Sequence, residues 1–203
     1  MDLRYELFNR LNTGGSPLTE QEIRNCIFRG TSTKFNEFLT INAERAEFIS
    51  LIEPTHKQFE EKYLEELVLR FVALHVSGLK VSKTIAIFLT EFMKTSVEAD
   101  SLNFSELQIL FDRVIRILSP LGRDVFRAKN GIFSSSLYDG IMIGIAHFID
   151  AYEAEPDLVK IKINNLKTSK EFEKYTGTAS SSKERVMGRV RIAMKFLIQT
   201  ESI

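Results

Sequence analysis

Three histidines, one cysteine and 27 acidic side chains are the groups from which an active site could be built in this 203-residue chain. Their spacing builds none. His56, His75 and His147 are far apart and lack the His-Glu-x-x-His spacing that sets two imidazoles on one helical face, so no local zinc site is expected. Cys26 stands alone, which excludes a cysteine-rich metal site and an internal disulfide. No G-x-x-x-x-G-K-[S/T] loop is present, and the glycine pair Gly14-Gly15 follows no strand, which removes the P-loop and the dinucleotide fingerprint. Pro156-Asp157 has no Glu-x-Lys after it, so the carboxylate and lysine set of a metal-dependent nuclease is missing as well. The expectation is that this chain carries no catalytic residue, metal or cofactor of its own. His147 lies in the most apolar stretch and reads as a core histidine.

Anion binding is the chemistry the residue pattern leaves open. Around Arg10, Asn12, Thr13, Gly14 and Gly15 the sequence describes a helix, a loop whose glycines can adopt positive φ, then Pro17 and a new helix capped by Thr19 and answered by Glu22. This is either a well-made turn between helices or a nest of amides for a phosphate. From Lys160 to Lys195 ten bases face three acids, a local +7, whereas from Glu44 to Glu66 seven acids face three bases. The basic run is either the solvated outside of helices or a phosphate-contacting surface that includes Lys183, Arg185, Arg189 and Arg191. Arg185 and Arg189 lie one helical turn apart on a ridge with Ile192 and Phe196, placed to hold a phosphate or a neighbouring carboxylate. Arg70, on an otherwise apolar helix, reads as a buried ion-pair partner or a group facing a cleft.

The elements that must position these groups are helices. Apolar residues recur at helical spacing almost everywhere, with no sustained alternation, so the expected fold class is all-α: one irregular multi-helix bundle spanning residues 1–203. Phe59, Tyr63, Leu67, Phe71 and Leu74 predict one helix from Phe59 to Val76, Ser82 to Val97 a second, and Asn103 to Ser119 a third, stopped by Pro120 and Gly122. Leu137 to Ile149 is apolar nearly all round and belongs at the centre. Ser136 with Asp139, Thr168 with Glu171 and Ser181 with Glu184 have capping-box spacing and mark helix starts. Gly177 reads as a stop, and Gly188 inside the last helix predicts close approach of another element. Gly (10) and Pro (4) fall below the roughly 24 that average usage would give, which excludes collagen-like, disordered and turn-dense all-β chains. A net charge of +0 excludes a globally basic binder, and charge-free stretches are too short to span a bilayer. With one cysteine and no signal-like start, a reducing cytoplasm and no membrane partner are expected.

The run LFNRLNTGGSPLTEQEIRN closely resembles the F-x-R-[IL]-N-T-G-G-x-P-L-x-x-x-E-[IL]-R-N signature of the GmrSD-type domains of modification-dependent restriction enzymes. YLEELVLRFVAL, FSSSLYDGIMIGIA and TASSSKERVMGRVRIAM are similar, in the same order, to later segments of that domain's helical half. The signature positions retained are Arg10, Asn12, Thr13, Gly14, Gly15, Pro17, Leu18, Glu22, Arg24 and Asn25.

The resemblance implies a two-part module: a ParB-related lobe with an Asp-Gly-Gln-Gln-Arg (DGQQR) motif, tied to nucleotide use and nuclease control, followed by the helical part seen here. This sequence contains no DGQQR. The expectation is that the lobe comes from a partner chain, a split gene or the rest of a longer protein. Arg10, Asn12, Thr13, Gly14, Gly15, Glu22 and Asn25 would then form a nucleotide or interlobe site. Arg70, Lys183, Arg185, Arg189 and Arg191 would contact phosphate or DNA. A nucleoside triphosphate and a divalent metal would belong to the complete module, and the chain would not be active alone. The alternative is a stand-alone helical interaction or DNA-binding module, self-associating if an apolar face is left uncovered.

Overall fold

The computed structural model describes Leu7 and residues 17–177 and 180–198. Among these residues the fold is all-α, with twelve α-helices and no strand; the only ladder contact is an isolated antiparallel bridge, Arg127 to Phe133. The helices are α1 Glu20–Phe28, α2 Thr33–Ala43, α3 Ala46–Ile52, α4 His56–Glu60, α5 Tyr63–Val76 and α6 Ile85–Ala99. They continue as α7 Phe104–Leu118, α8 Ser135–His147, α9 Ile149–Ala154, α10 Asp157–Thr168, α11 Lys170–Glu173 and α12 Lys183–Leu197. Two 3-10 turns, Ser119–Leu121 and Arg123–Phe126, join α7 toward α8.

Helix α8 is the axis of the bundle. Every residue from Ser136 to Ala146 is buried, because α5, α7, α12 and the Arg123–Phe126 turn pack around it. Its most extensive partner is α12, and glycine allows the two helices to meet: a Cβ at Gly140 would stand 2.9 Å from that of Ala193, and one at Gly144 would overlap Leu197. Gly188 of α12 is likewise closed over, by the Tyr175 ring, which accounts for a glycine inside a helix.

Local signals set most boundaries. Thr19 and Glu22 form the expected reciprocal capping box, and Asn103 caps α7, whose stripe Leu107, Phe111, Val114 and Leu118 is buried. Gly177 carries the positive φ of a stop, 82°.

Several expectations are corrected. The helix read from Phe59 to Val76 is two, because Lys62 takes a left-handed conformation (φ 61°) after a short helix started by the Thr55–Gln58 capping box. Phe59 is left 46% exposed. The helix read from Ser82 begins at Ile85. The caps of α8, α11 and α12 are Ser134, Ser169 and Ser182 rather than Ser136, Thr168 and Ser181. Each serine accepts from an amide two or three residues on, and Ser136 and Asp139 are thereby released for another task. His147 is exposed at the end of α8, edge-on to Phe148, and is not a core residue. Among the described residues no helix is long and apolar enough to cross a membrane.

Candidate functional site

The buried charges form one chain across the bundle. Arg70 on α5 and Arg189 on α12 both reach Asp139, the single charged residue between Leu137 and Ile149 on α8. Arg70 donates from Nε and Nη2 to the two carboxylate oxygens at 2.9 and 2.6 Å. Arg189 donates from Nε at 3.0 Å and from Nη2, while its Nη1 reaches the Ser136 hydroxyl at 3.3 Å and the Ser180 carbonyl. The Asp139 side chain is 0% exposed.

The chain continues toward α1. Glu66 lies 3.9 Å from Arg70 and accepts from Arg24 Nη2 at 2.7 Å. Arg24 is fully buried and spends its other donors on Gln21, the Ala86 carbonyl and Thr90, so one guanidinium ties α1 to α5 and α6. Beside it Asn25 donates to Glu65 at 2.6 Å, and Glu65 also meets Lys62 and Thr40. Along the line Arg24, Glu66, Arg70, Asp139, Arg189 the sign alternates at every step. That alternation lets Arg24, Arg70, Asp139 and Arg189 share an apolar interior with the half-buried Glu66, since each buried charge has an opposite neighbour.

The electrostatics follow this geometry. Burial pushes the Asp139 carboxyl up, but Arg70 and Arg189 outweigh it and hold its pKa below the usual aspartate value. For Arg189 burial dominates and draws its pKa down, Asp139 opposing and Arg70 adding to the fall. Tyr63, next to this line, is pushed up to about 12 by burial. Burial raises the Glu20 carboxyl at the start of α1 as well, with Arg24 opposing. The carboxylates of the line are engaged by guanidinium groups, so the chemistry the arrangement supports is positional: it fixes α1, α5, α8 and α12 in one register.

The sequence-predicted residues fall into three sets. Arg10, Asn12, Thr13, Gly14 and Gly15 lie outside the described residues. Glu22 and Asn25 are half-buried and structural in what they touch, Glu22 in the α1 cap and Asn25 on Glu65. Of the proposed phosphate contacts, Arg70 and Arg189 are buried at 5% and 1% exposure with their donors on Asp139, so for these two an internal ion pair replaces surface contact. Arg185 donates to the Lys174 and Thr176 carbonyls, holding the turn before α12. Lys183 and Arg191 are exposed.

No protein-family model, curated protein or solved structure matches the chain. The site therefore rests on its own geometry. Its unforeseen members are Glu65, Glu66, Ser136 and Asp139. Two signals pointed to them: an arginine on an apolar helix requires a partner, and Asp139 is the one acid on the most apolar helix.

Proposed function

We propose that the chain is the helical portion of a GmrSD-type restriction or anti-phage defence protein, completing a nucleoside-triphosphate-dependent DNA nuclease module and inactive without its DGQQR lobe. One observation carries this reading. The segments on which the resemblance rests meet in the buried ion chain: Arg24 and Asn25 from the N-terminal signature, Glu65, Glu66 and Arg70 from the second segment, Ser136 and Asp139 from the third, Arg189 from the fourth. Segments far apart in sequence supply one another's partners, as expected when the shared residues define a common scaffold.

That scaffold gives the N-terminal signature its place in the reading. The α1 start is fastened twice, by its own capping box and by the Thr19 hydroxyl 2.9 Å from the Glu61 carbonyl. In sequence, Arg10 and Asn12 to Gly15 precede this anchor by a few residues; in this reading they serve the nucleotide or interlobe site, and the exposed Lys183 and Arg191 meet DNA. Size-exclusion chromatography of the chain mixed with a separately produced DGQQR lobe tests it. A one-to-one complex that is weakened by Arg10→Ala or Asn12→Ala, with unchanged helical circular dichroism, is expected. A lobe that elutes independently of the chain contradicts the reading.

A further inference from the structure

Two adjoining hollows open beside α10 and the segment that leads into α8, with volumes of about 740 and 550 Å³. They share Ala128, Lys129, Asn164 and Lys167, and so form one groove between α10 and the tight turn at residues 128–131. The turn is closed by Gly131 N–H on the Ala128 carbonyl, with Gly131 at φ 75°, and its tip carries Lys129. Each hollow has the size of a small-molecule site.

The lining is cationic and polar. Arg127, Lys129, Lys160 and Lys167 surround the smaller hollow against one acid, Asp124; in the larger, Lys129 and Lys167 stand against Glu173. Arg127 is held with Nη2 on the Ile52 carbonyl at 2.7 Å and 3.8 Å from the Glu53 carboxylate, with its guanidinium 5.8 Å from the Phe133 ring centre, while its buried Nε has no partner among the described residues. Lys167 is fixed by a 2.6 Å bond to the Asp124 carbonyl. Lys129 and Lys160 are exposed and make no bond to any described residue. The larger hollow also contains the first turn of the thirteen-residue α8, Ser134 to Ser136. Ser134 caps Leu137, whereas the amides of Ser135 and Ser136 have no acceptor within the helix. Three lysines, the partly neutralised Arg127 and the amides of a helix N-terminus, against Asp124 and Glu173, leave a concave space that favours negative charge. Hollows of this volume favour a small ligand. Of the two aromatic rings lining the larger hollow, Phe133 is engaged by Tyr63, Phe126 and Tyr138 and Phe172 is buried, so neither offers a free stacking platform for a nucleic-acid strand.

We infer that this groove is a binding site for a small phosphorylated ligand, an organic phosphate or diphosphate, independent of the proposed nuclease role. Titrating the purified chain with inorganic pyrophosphate and, separately, adenosine 5′-monophosphate at low ionic strength tests it by calorimetry and by amide chemical shifts. Saturable binding of either probe to one site is expected, with shifts at Ser135, Ser136 and Lys129. Affinity should fall at least tenfold in Lys129→Glu and in Lys160→Glu, and stay unchanged in Lys34→Glu, an exposed lysine on α2 outside the groove. Binding by both probes shows that the phosphate is recognised; binding by the nucleotide alone shows that the organic part is required. No saturable binding, equal weakening by Lys34→Glu, or binding of a single-stranded oligonucleotide alone overturns the proposal.

Discussion

Arg70 lays its guanidinium along the Asp139 carboxylate, one nitrogen to each oxygen, across 69 residues of sequence. Arg189 takes the same carboxylate through Oδ2, the oxygen that Arg70 Nη2 also reaches. One small acid thus joins three helices inside the core, and losing it leaves the buried Arg189 without its counter-charge and Arg70 with only Glu66, 3.9 Å away.

Asp139→Asn should therefore destabilise the fold by about 3–5 kcal/mol, the range for breaking a buried ion pair. Urea unfolding followed by circular dichroism measures it. A change below about 1 kcal/mol would mean that the pairs contribute as little as surface ones.

The same acid sets an acid limit. Its folded pKa lies below the usual 3.8, so the folded state binds this proton less readily than the unfolded chain. Its stabilisation is fully present above the unfolded value and is lost as pH falls toward the folded one. Wild-type stability should decline as pH drops below about 4, and Asp139→Asn should lack this share of the decline. Unfolding midpoints collected from pH 6 down to pH 2 for both proteins decide it; parallel curves would remove Asp139 as the source.

Arg24 and Glu66 should prove coupled. A double-mutant cycle with Arg24→Met and Glu66→Met is expected to give an interaction energy of about 1–3 kcal/mol, because Arg24 is fully buried and Glu66 faces it at 2.7 Å. Additive effects would show that Arg24 is held by its neutral partners alone.

Gly188→Ala should destabilise although alanine favours a helix by about 1 kcal/mol, since its methyl would overlap the Tyr175 ring. Tyr175→Ala in the same chain should recover part of the loss, as read by thermal unfolding. Equal destabilisation in both backgrounds would place the conflict elsewhere.

Which of these features could be read beforehand depended on whether the signal was local. Thr19 with Glu22, the buried stripe of α7, the covered faces of α8 and the closeness at Gly188 follow from neighbours in sequence or from one helix's own pattern. Lys62 was invisible because Phe59 and Tyr63 keep helical spacing across the break, and nothing in a lysine announces a left-handed turn. The runs of Ser and Thr fixed three helix starts only to within one or two residues, since neighbouring hydroxyls compete to cap the same first turn. That small error hid Asp139, which capping-box spacing assigned to Ser136 although its partners lie 69 and 50 residues away. Arg70 and Arg189 were legible as cations in need of an acid, but not as sharing one. Arg10 and Asn12 to Gly15, proposed for the nucleotide or interlobe site, lie outside the described residues.

Nucleotide turnover by the purified chain, with and without the DGQQR lobe, tests the central claim most directly. No hydrolysis of ATP or GTP by the chain alone, and hydrolysis that appears on adding the lobe and is lost with Asn12→Ala, is the predicted result. Robust turnover by the 203-residue chain alone, abolished by Arg10→Ala or Asn12→Ala, would contradict it.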